Sequence, residues 1–182
     1  SHHILMAMIP FITAKAGNGK EPLSIVVAET NNTALIKITG YIGTWSRASA
    51  LEVEEKVNEL INAGYKDATI YINTRGGSTL EASEIFNVLR LFPGKLIAEA
   101  GALVGSAGTY LAVKCDEFKV KANTQFMWHR PTLYVGGNLD EIQSDLKLLE
   151  NTEKDYLSIY AAKTGKSEDE LDKLWKQGDQ WL

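Results

Sequence analysis

Cysteine is nearly absent from this 182-residue chain, which has only Cys115, set among apolar neighbours. One cysteine excludes an internal disulfide, so we expect a small core side chain in a protein of a reducing compartment, the cytoplasm. Histidine is also scarce. His2 and His3 resemble the remnant of an expression tag, which leaves His129 as the only internal histidine. One histidine and one cysteine disfavour a zinc site, and no motif predicts another metal or a cofactor.

Blocks of like charge are absent too, because the 19 basic and 23 acidic residues are interspersed and give a net charge of −4. The chain therefore lacks the basic face that nucleic acids or anionic membranes would attract. The apolar run at residues 4–12 has no basic leader and is too short to span a bilayer. We expect peptides, proteins or small molecules as partners, with no binding to nucleic acid or membrane.

The composition, 45% hydrophobic and 23% charged, is typical of one globular domain. We assign residues 1–23 to the tag remnant and an N-terminal arm, and residues 24–182 to a single domain. Alternating β-type and helical patterns predict an α/β fold with a mostly parallel sheet. Predicted strands cover 24–29 and 34–41, which we expect to form a hairpin, and also 68–73, 95–100, 118–120 and 126–128. Predicted helices cover 47–63, 80–91, 106–113, 139–163 and 167–175.

Ser106 lies among small residues in the stretch 101–110, where a predicted strand becomes a predicted helix. Serine is a common helix N-cap, and its hydroxyl then only accepts a backbone hydrogen bond. With a base nearby, the same hydroxyl attacks a carbonyl carbon. The segment by itself leaves both interpretations open.

A base and two oxyanion donors can be named from the same patterns. His129 ends a predicted strand just before Arg130-Pro131, so its ring is expected at the rim of the sheet; a purely structural histidine is the alternative. Gly76-Gly77 ends another strand, where open α/β sheets place ligand sites, although such pairs are also common in turns. The N–H groups of Gly77 and Ala107 are candidates for an oxyanion hole.

The acid that would orient His129 is not decided by the residues themselves. Asp179 lies beyond the last predicted helix, beside the apolar Trp181 and Leu182, which are able to bury it against His129. The other candidates fall on predicted helices, where we expect them to be solvated: Asp140, Asp145, Asp155, Asp169 and Asp172. We keep Asp179 as the leading candidate.

Segments 73–78, 101–110, 127–131 and 179–182, with Thr164-Gly165, resemble in order and spacing the signatures of the Clp protease proteolytic subunit family. The resemblance covers about residues 34–182. It implies a Ser-His-Asp triad of Ser106, His129 and Asp179, with Gly77 and Ala107 as oxyanion donors.

The resemblance also implies an architecture and a function. The fold would be the β-β-α superhelix shared with crotonases, with a long protruding handle helix, and the activity that of a serine endopeptidase without a cofactor. Family members form stacked homo-oligomeric rings, with active sites facing a chamber that an AAA+ unfoldase, driven by ATP, supplies. Residues 40–45 and the N-terminal arm resemble the phage and prophage branch, which is implicated in capsid maturation, more than the housekeeping subunit.

Some features depart from the family pattern or leave alternatives open. Arg75, Gly105 and Arg130 stand where the family usually has proline, alanine and glutamine. The segment that normally follows Asp179 is missing, so we expect the C-terminal end to be incomplete. The helix at 139–163 could pack on its own sheet instead of forming a handle. A crotonase-like acyl-CoA enzyme and a non-catalytic ring subunit remain alternatives, whereas the order Ser, His, Asp disfavours α/β-hydrolases.

Overall fold

A computed structural model of the chain describes residues 33–182. The arm predicted for residues 1–23 and the strand predicted for 24–29, with its hairpin, lie outside these residues. The strands are β1 (Thr33–Ile42), β2 (Asp67–Gly77), β3 (Leu96–Gly105), β4 (Glu117–Lys119), β5 (Gln125–Trp128) and β6 (Gln180–Trp181). The helices are α1 (Ala50–Asn62), α2 (Thr79–Leu89), α3 (Ala107–Lys114), α4 (Leu139–Thr164) and α5 (Glu168–Trp175).

The described strands form one sheet in the order β1-β2-β3-β5-β6, and β4 also pairs with β3. All pairs are parallel except β5 with β6, which is antiparallel. β1 and β2 contribute isoleucines that are fully buried, namely Ile36, Ile38, Ile70 and Ile72. β-branched side chains suit such a pleated, covered surface. The predicted α/β class with a mostly parallel sheet and a long helix is confirmed.

β2 and β3 extend further than the apolar pattern predicts. β2 runs through Gly77, so the Gly76-Gly77 pair ends a strand instead of forming a separate turn. β3 runs through Gly105, and its last residues pair with β5. Glycine has low β-propensity, which hides these extensions from a sequence pattern. As a result, both long strands reach the residues around Ser106.

α3 packs its first seven residues into the core, next to the only cysteine. Cys115 is buried, and its thiol donates a hydrogen bond to the carbonyl of Leu111 at 3.3 Å. Burial raises the pKa of the thiol to about 12, because the thiolate would be poorly solvated. The prediction that Cys115 is a small core residue is confirmed, and its thiol is not a competing nucleophile at neutral pH.

α4 contains 26 residues and begins at a capping box made by Asn138 and Glu141. Only its C-terminal half packs into the core, where the Tyr156 ring stacks on Tyr110 with centroids 4.5 Å apart. The N-terminal half leaves large apolar side chains exposed: Leu139, Ile142, Leu146 and Leu148. Packing on its own sheet therefore accounts for one half of α4 and not for the other.

Among the helices within residues 33–182, none has both the length and the apolar character needed to cross a membrane.

Candidate active site

Ser106 has an unusual backbone conformation at the junction of β3 and α3. Its φ of 50° and ψ of −124° make it the only non-glycine residue with positive φ among residues 33–182. Neighbouring bonds hold this conformation: the Ser106 N–H donates to the Met127 carbonyl at 2.8 Å, and Thr109 N–H donates to the Ser106 carbonyl at 2.8 Å. Strained residues of this kind concentrate at functional sites, where the surrounding structure maintains them.

The hydroxyl of Ser106 contacts the imidazole of His129. The Ser106 Oγ to His129 Nε2 distance is 2.8 Å, within normal hydrogen-bond range. The Ser106 side chain makes no capping hydrogen bond to α3. The N-cap interpretation is therefore wrong for the side chain, because its oxygen faces His129 and not the N–H groups of the first helical turn.

β5 delivers His129 to this position. Trp128, the residue before it, is buried between Tyr160 and Trp175, with ring centroids 5.4 and 5.8 Å away. β5 also pairs with the end of β3, in the register Gly105 to Met127. Since Ser106 follows β3 and His129 follows β5, parallel pairing brings the two side chains to the same edge of the sheet.

Asp179 is the predicted acid that the fold brings to His129. The distance from His129 Nδ1 to Asp179 Oδ1 is 3.3 Å, slightly longer than a typical N–H···O bond, and the Asp179 side chain is 55% exposed. β6 places it, because Gln180 pairs with Trp128 and the backbones of Leu182 and Phe126 exchange two hydrogen bonds of 2.9 Å. A two-residue strand is too short for a sequence pattern to predict.

Gly76 and Gly77 pack closely against the segment that carries Ser106. A Cβ atom on Gly76 would lie 2.6 Å from Ser106 Cβ, and one on Gly77 would lie 2.0 Å from the Ile42 carbonyl oxygen. Both contacts are too close for a side chain, so only glycine fits at either position. The residues also have positive φ, 103° and 152°.

The residue after Gly77 is hydrogen-bonded to β1. Ser78 N–H donates to the Ile42 carbonyl of β1 at 2.9 Å. Gly77 and Ser106 line the same cleft. Ala107 is the first residue of α3, and first-turn N–H groups have no intrahelical acceptor. Gly77 and Ala107 therefore both lie beside Ser106, and their role as oxyanion donors stays a prediction.

Sequence reasoning missed the contribution of Thr74 to this arrangement. Thr74 is 3% exposed, and its hydroxyl donates to the Gly40 carbonyl while accepting a hydrogen bond of 2.9 Å from Gly76 N–H. These bonds hold the glycine end of β2 against β1. The only sequence signal was a β-branched polar residue just before the glycines.

A cleft of about 400 Å³ opens beside Ser106, His129 and Gly77. Its walls mix hydroxyl groups with apolar side chains, and the apolar ones come from the start of α2, the segment after His129 and the middle of α4: Leu80, Pro131, Leu133, Tyr134, Leu148 and Leu149. Within residues 33–182, no three His, Cys, Asp or Glu side chains are arranged to hold a metal ion. The cleft therefore combines a serine and an imidazole with walls that are partly apolar.

The mostly parallel sheet and the contacts of His129 with Ser106 and Asp179 define an α/β protein with a hydroxyl, an imidazole and a carboxylate at one edge of its sheet. The family model described as Clp protease matches residues 27–182. The chain therefore belongs to the Clp protease family.

Curated relatives agree with this family. The chain is 31% identical over 118 residues to ATP-dependent Clp protease proteolytic subunit 1 of Streptomyces avermitilis, covering 64% of this chain and 54% of the relative. It is 28% identical over 102 residues to proteolytic subunit 3 of Rhodococcus jostii, covering 55% and 50%. It is 26% identical over 147 residues to proteolytic subunit 3 of Rhizobium johnstonii, covering 77% and 73%. The chain spans about half the length of the first two.

Proposed function

We propose that this protein is a serine endopeptidase whose catalytic residues are Ser106, His129 and Asp179. The observation that carries the proposal is the 2.8 Å contact between Ser106 Oγ and His129 Nε2 beside an open cleft. A hydroxyl at this distance from an imidazole can transfer its proton as it attacks a carbonyl carbon.

In the proposed reaction, Ser106 Oγ bonds to the peptide carbonyl carbon while its proton moves to His129 Nε2. The Asp179 carboxylate accepts a hydrogen bond from Nδ1–H of His129 and so stabilises the imidazolium. The N–H groups of Gly77 and Ala107 hydrogen-bond the oxyanion. The C–N bond then breaks as His129 protonates the leaving amine. Water, deprotonated by His129, attacks the acyl carbon, and the bond from that carbon to Ser106 Oγ breaks as His129 returns the proton to Oγ.

The cleft walls indicate which peptides would fit. Apolar side chains lie beside Ser106 at the start of α2, in the segment after His129 and on α4. Among the described residues that line the cleft, the titratable ones are His129, Tyr41 and Tyr134, so no carboxylate, lysine or arginine of this set is available to pair with a charged substrate. An apolar side chain next to the scissile bond would be desolvated favourably there, whereas a charged one would lose hydration without a partner. We therefore expect cleavage after apolar residues.

We further propose that the protein acts in the cytoplasm as a ring-forming homo-oligomer, supplied by an ATP-dependent unfoldase or acting in phage capsid maturation. Two observations support assembly. The N-terminal half of α4 exposes four large apolar side chains, which a partner subunit would cover. The relatives are named as proteolytic subunits of an ATP-dependent protease.

The decisive experiment compares the wild type with Ser106→Ala. We expect the variant to lose at least about 10⁴-fold in cleavage of a fluorogenic peptide with an apolar residue before the scissile bond. It should also lose labelling by a serine-directed phosphonate. The control is Ser144→Ala, which removes an exposed hydroxyl on α4.

Other outcomes would point to the alternative functions. Wild-type protein that binds acyl-CoA and resists the phosphonate would favour a crotonase-like enzyme. Ring assembly without peptide cleavage, phosphonate labelling or acyl-CoA binding would favour a non-catalytic subunit.

A further inference from the structure

Arg130 directly follows His129, and its guanidinium contacts two helices. Its Nη2 donates a hydrogen bond to Asp172 Oδ1 on α5, and its Nε lies 3.7 Å from Glu153 Oε1 on α4. The guanidinium also lies over the ring of Trp175, 5.9 Å from its centroid. One side chain thus joins the His129 segment to both C-terminal helices.

α5 is also the helix that leads to Asp179. Only the short segment 176–178 separates its end at Trp175 from that residue. The side chain of Gln180 donates to the carbonyls of Leu174 and Gly178 at 3.0 and 2.8 Å, which fastens the segment to the end of α5. A shift of α5 relative to the His129 segment would therefore change the distance between His129 and Asp179.

The Arg130 contacts are partly shielded from water. The side chains of Arg130, Asp172 and Glu153 are 37%, 28% and 25% exposed, and Arg130 Nε is buried. Asp172 also accepts a hydrogen bond from Lys176 at 2.6 Å, and this bond, with the Arg130 charge, lowers the pKa of Asp172. The carboxylate stays ionised at neutral pH, so the ion pair with Arg130 persists under the conditions in which a serine peptidase works.

We propose that Arg130 is a positioning residue for the His129–Asp179 pair, acting through its ion pair with Asp172. This inference rests on the proposed peptidase function. The planar guanidinium donates a hydrogen bond to Asp172 and lies within ion-pair distance of Glu153, whereas lysine offers only a single point charge. A neutral residue at this position leaves the imidazole oriented only by strand pairing and by the packing of Trp128. His129 then spends less time aligned with both Ser106 and Asp179.

The test uses Arg130→Gln, Arg130→Lys, Asp172→Asn and the double variant Arg130→Gln/Asp172→Asn in the full chain. We expect Arg130→Gln to lower kcat and the phosphonate labelling rate by about 10- to 100-fold, the effect of a small misplacement of a catalytic group. KM should change by less than about 2-fold, since Arg130 does not line the cleft. Arg130→Lys should recover part of the loss.

The double variant separates positioning from a general loss of stability. If Arg130 acts through Asp172, the double variant should be no slower than Arg130→Gln, because both substitutions break the same contact. The matched control is Arg90→Gln, which breaks the Arg90–Asp116 pair, similarly exposed at 35% and 39% and placed at the opposite end of β3. Its kcat should equal that of the wild type.

Three results would overturn the inference: a wild-type kcat in Arg130→Gln, additive losses in the double variant, or a loss explained entirely by the unfolded fraction measured by circular dichroism. Should Arg130→Gln fail to fold, Arg130→Lys and Asp172→Asn decide the matter by their kcat and labelling rates. A wild type that the phosphonate does not label would refute the peptidase function itself. An active wild type beside an equally active Arg130→Gln would refute only the positioning role.

Discussion

His129 has two contacts, and the fold holds them in different ways. On the Ser106 side the distance is 2.8 Å, and the backbone of Ser106 lies between the paired ends of β3 and β5 and the buried helix α3. On the Asp179 side the distance is 3.3 Å, the carboxylate is 55% exposed, and the support is the two-residue edge strand β6. Ser106, the proposed nucleophile, is held by the core, whereas Asp179, the proposed acid, is held by a few peripheral contacts.

This difference has an energetic consequence. Moving Ser106 requires the sheet or α3 to rearrange, and close-packed interiors resist such changes. Moving Asp179 requires only that β6 separate from β5, and short edge elements with exposed hydrogen bonds open at low free energy. We therefore expect substitutions on the Ser106 side to cost more activity than those on the Asp179 side.

Gly76→Ala should have the largest effect, because it acts on the Ser106 side. The added methyl group would lie 2.6 Å from Ser106 Cβ, at a residue with φ of 103°. We expect a loss of about 10³-fold or more in kcat/KM, since Gly77, the proposed oxyanion donor, and Ser106, the proposed nucleophile, are both displaced. Thermal unfolding should show a lower stability by about 1 to 2 kcal/mol from the backbone strain. Peptide cleavage and calorimetry measure the two effects.

Gly105→Ala is the matched control for this substitution. A Cβ there meets the Arg75 carbonyl oxygen at 3.0 Å, which requires the Arg75 backbone to move by only a few tenths of an ångström, and Gly105 does not have positive φ. Activity within a few-fold of the wild type is expected. Equal losses in the two variants would show that crowding of Ser106 is not the cause.

Asp179→Asn should lower kcat by an intermediate amount. A buried triad acid contributes about 10⁴-fold, mainly by holding the imidazole tautomer and stabilising its charged form. Water already reaches Asp179, so the amide variant should lose only about 10²-fold in kcat, because solvent replaces part of the stabilisation. Steady-state kinetics measure the loss, with the exposed Asp155→Asn on α4 as control. A loss of kcat as large as that of Ser106→Ala would contradict the expectation that the fold positions Asp179 less firmly than Ser106.

Gln180→Ala should cause the smallest fall in kcat/KM of the three substitutions. The variant removes the side-chain bonds to Leu174 and Gly178 but keeps the backbone pairing of β6 with β5. Each such bond contributes about 1 kcal/mol, so kcat/KM should fall by about 3- to 10-fold as Asp179 becomes less well placed. The exposed Gln143→Ala is the control. A fall greater than that of Asp179→Asn would mean that Gln180 acts on more than Asp179.

Much of the fold could be predicted because each element carries its own burial pattern. The alternating isoleucines of β1 and β2 and the apolar positions of α1 and α2 predict their elements from neighbouring residues. The glycine-rich ends of β2 and β3 and the strand β6 were missed because they contain few β-forming residues or are too short. These are also the segments that surround Ser106 and Asp179.

The amino-acid sequence by itself determined the α/β alternation, the burial of Cys115 and the shortlist in which His129 is the only internal histidine. Tertiary structure alone decided that the Ser106 hydroxyl faces His129 instead of capping α3, that Asp179 is the acid brought beside the imidazole, and that Arg130 reaches Asp172. The physical reason is the distance along the sequence over which each kind of information acts. Periodicity reports which side of one element is buried, whereas contacts between residues 23, 50 and 42 positions apart depend on how several elements pack together.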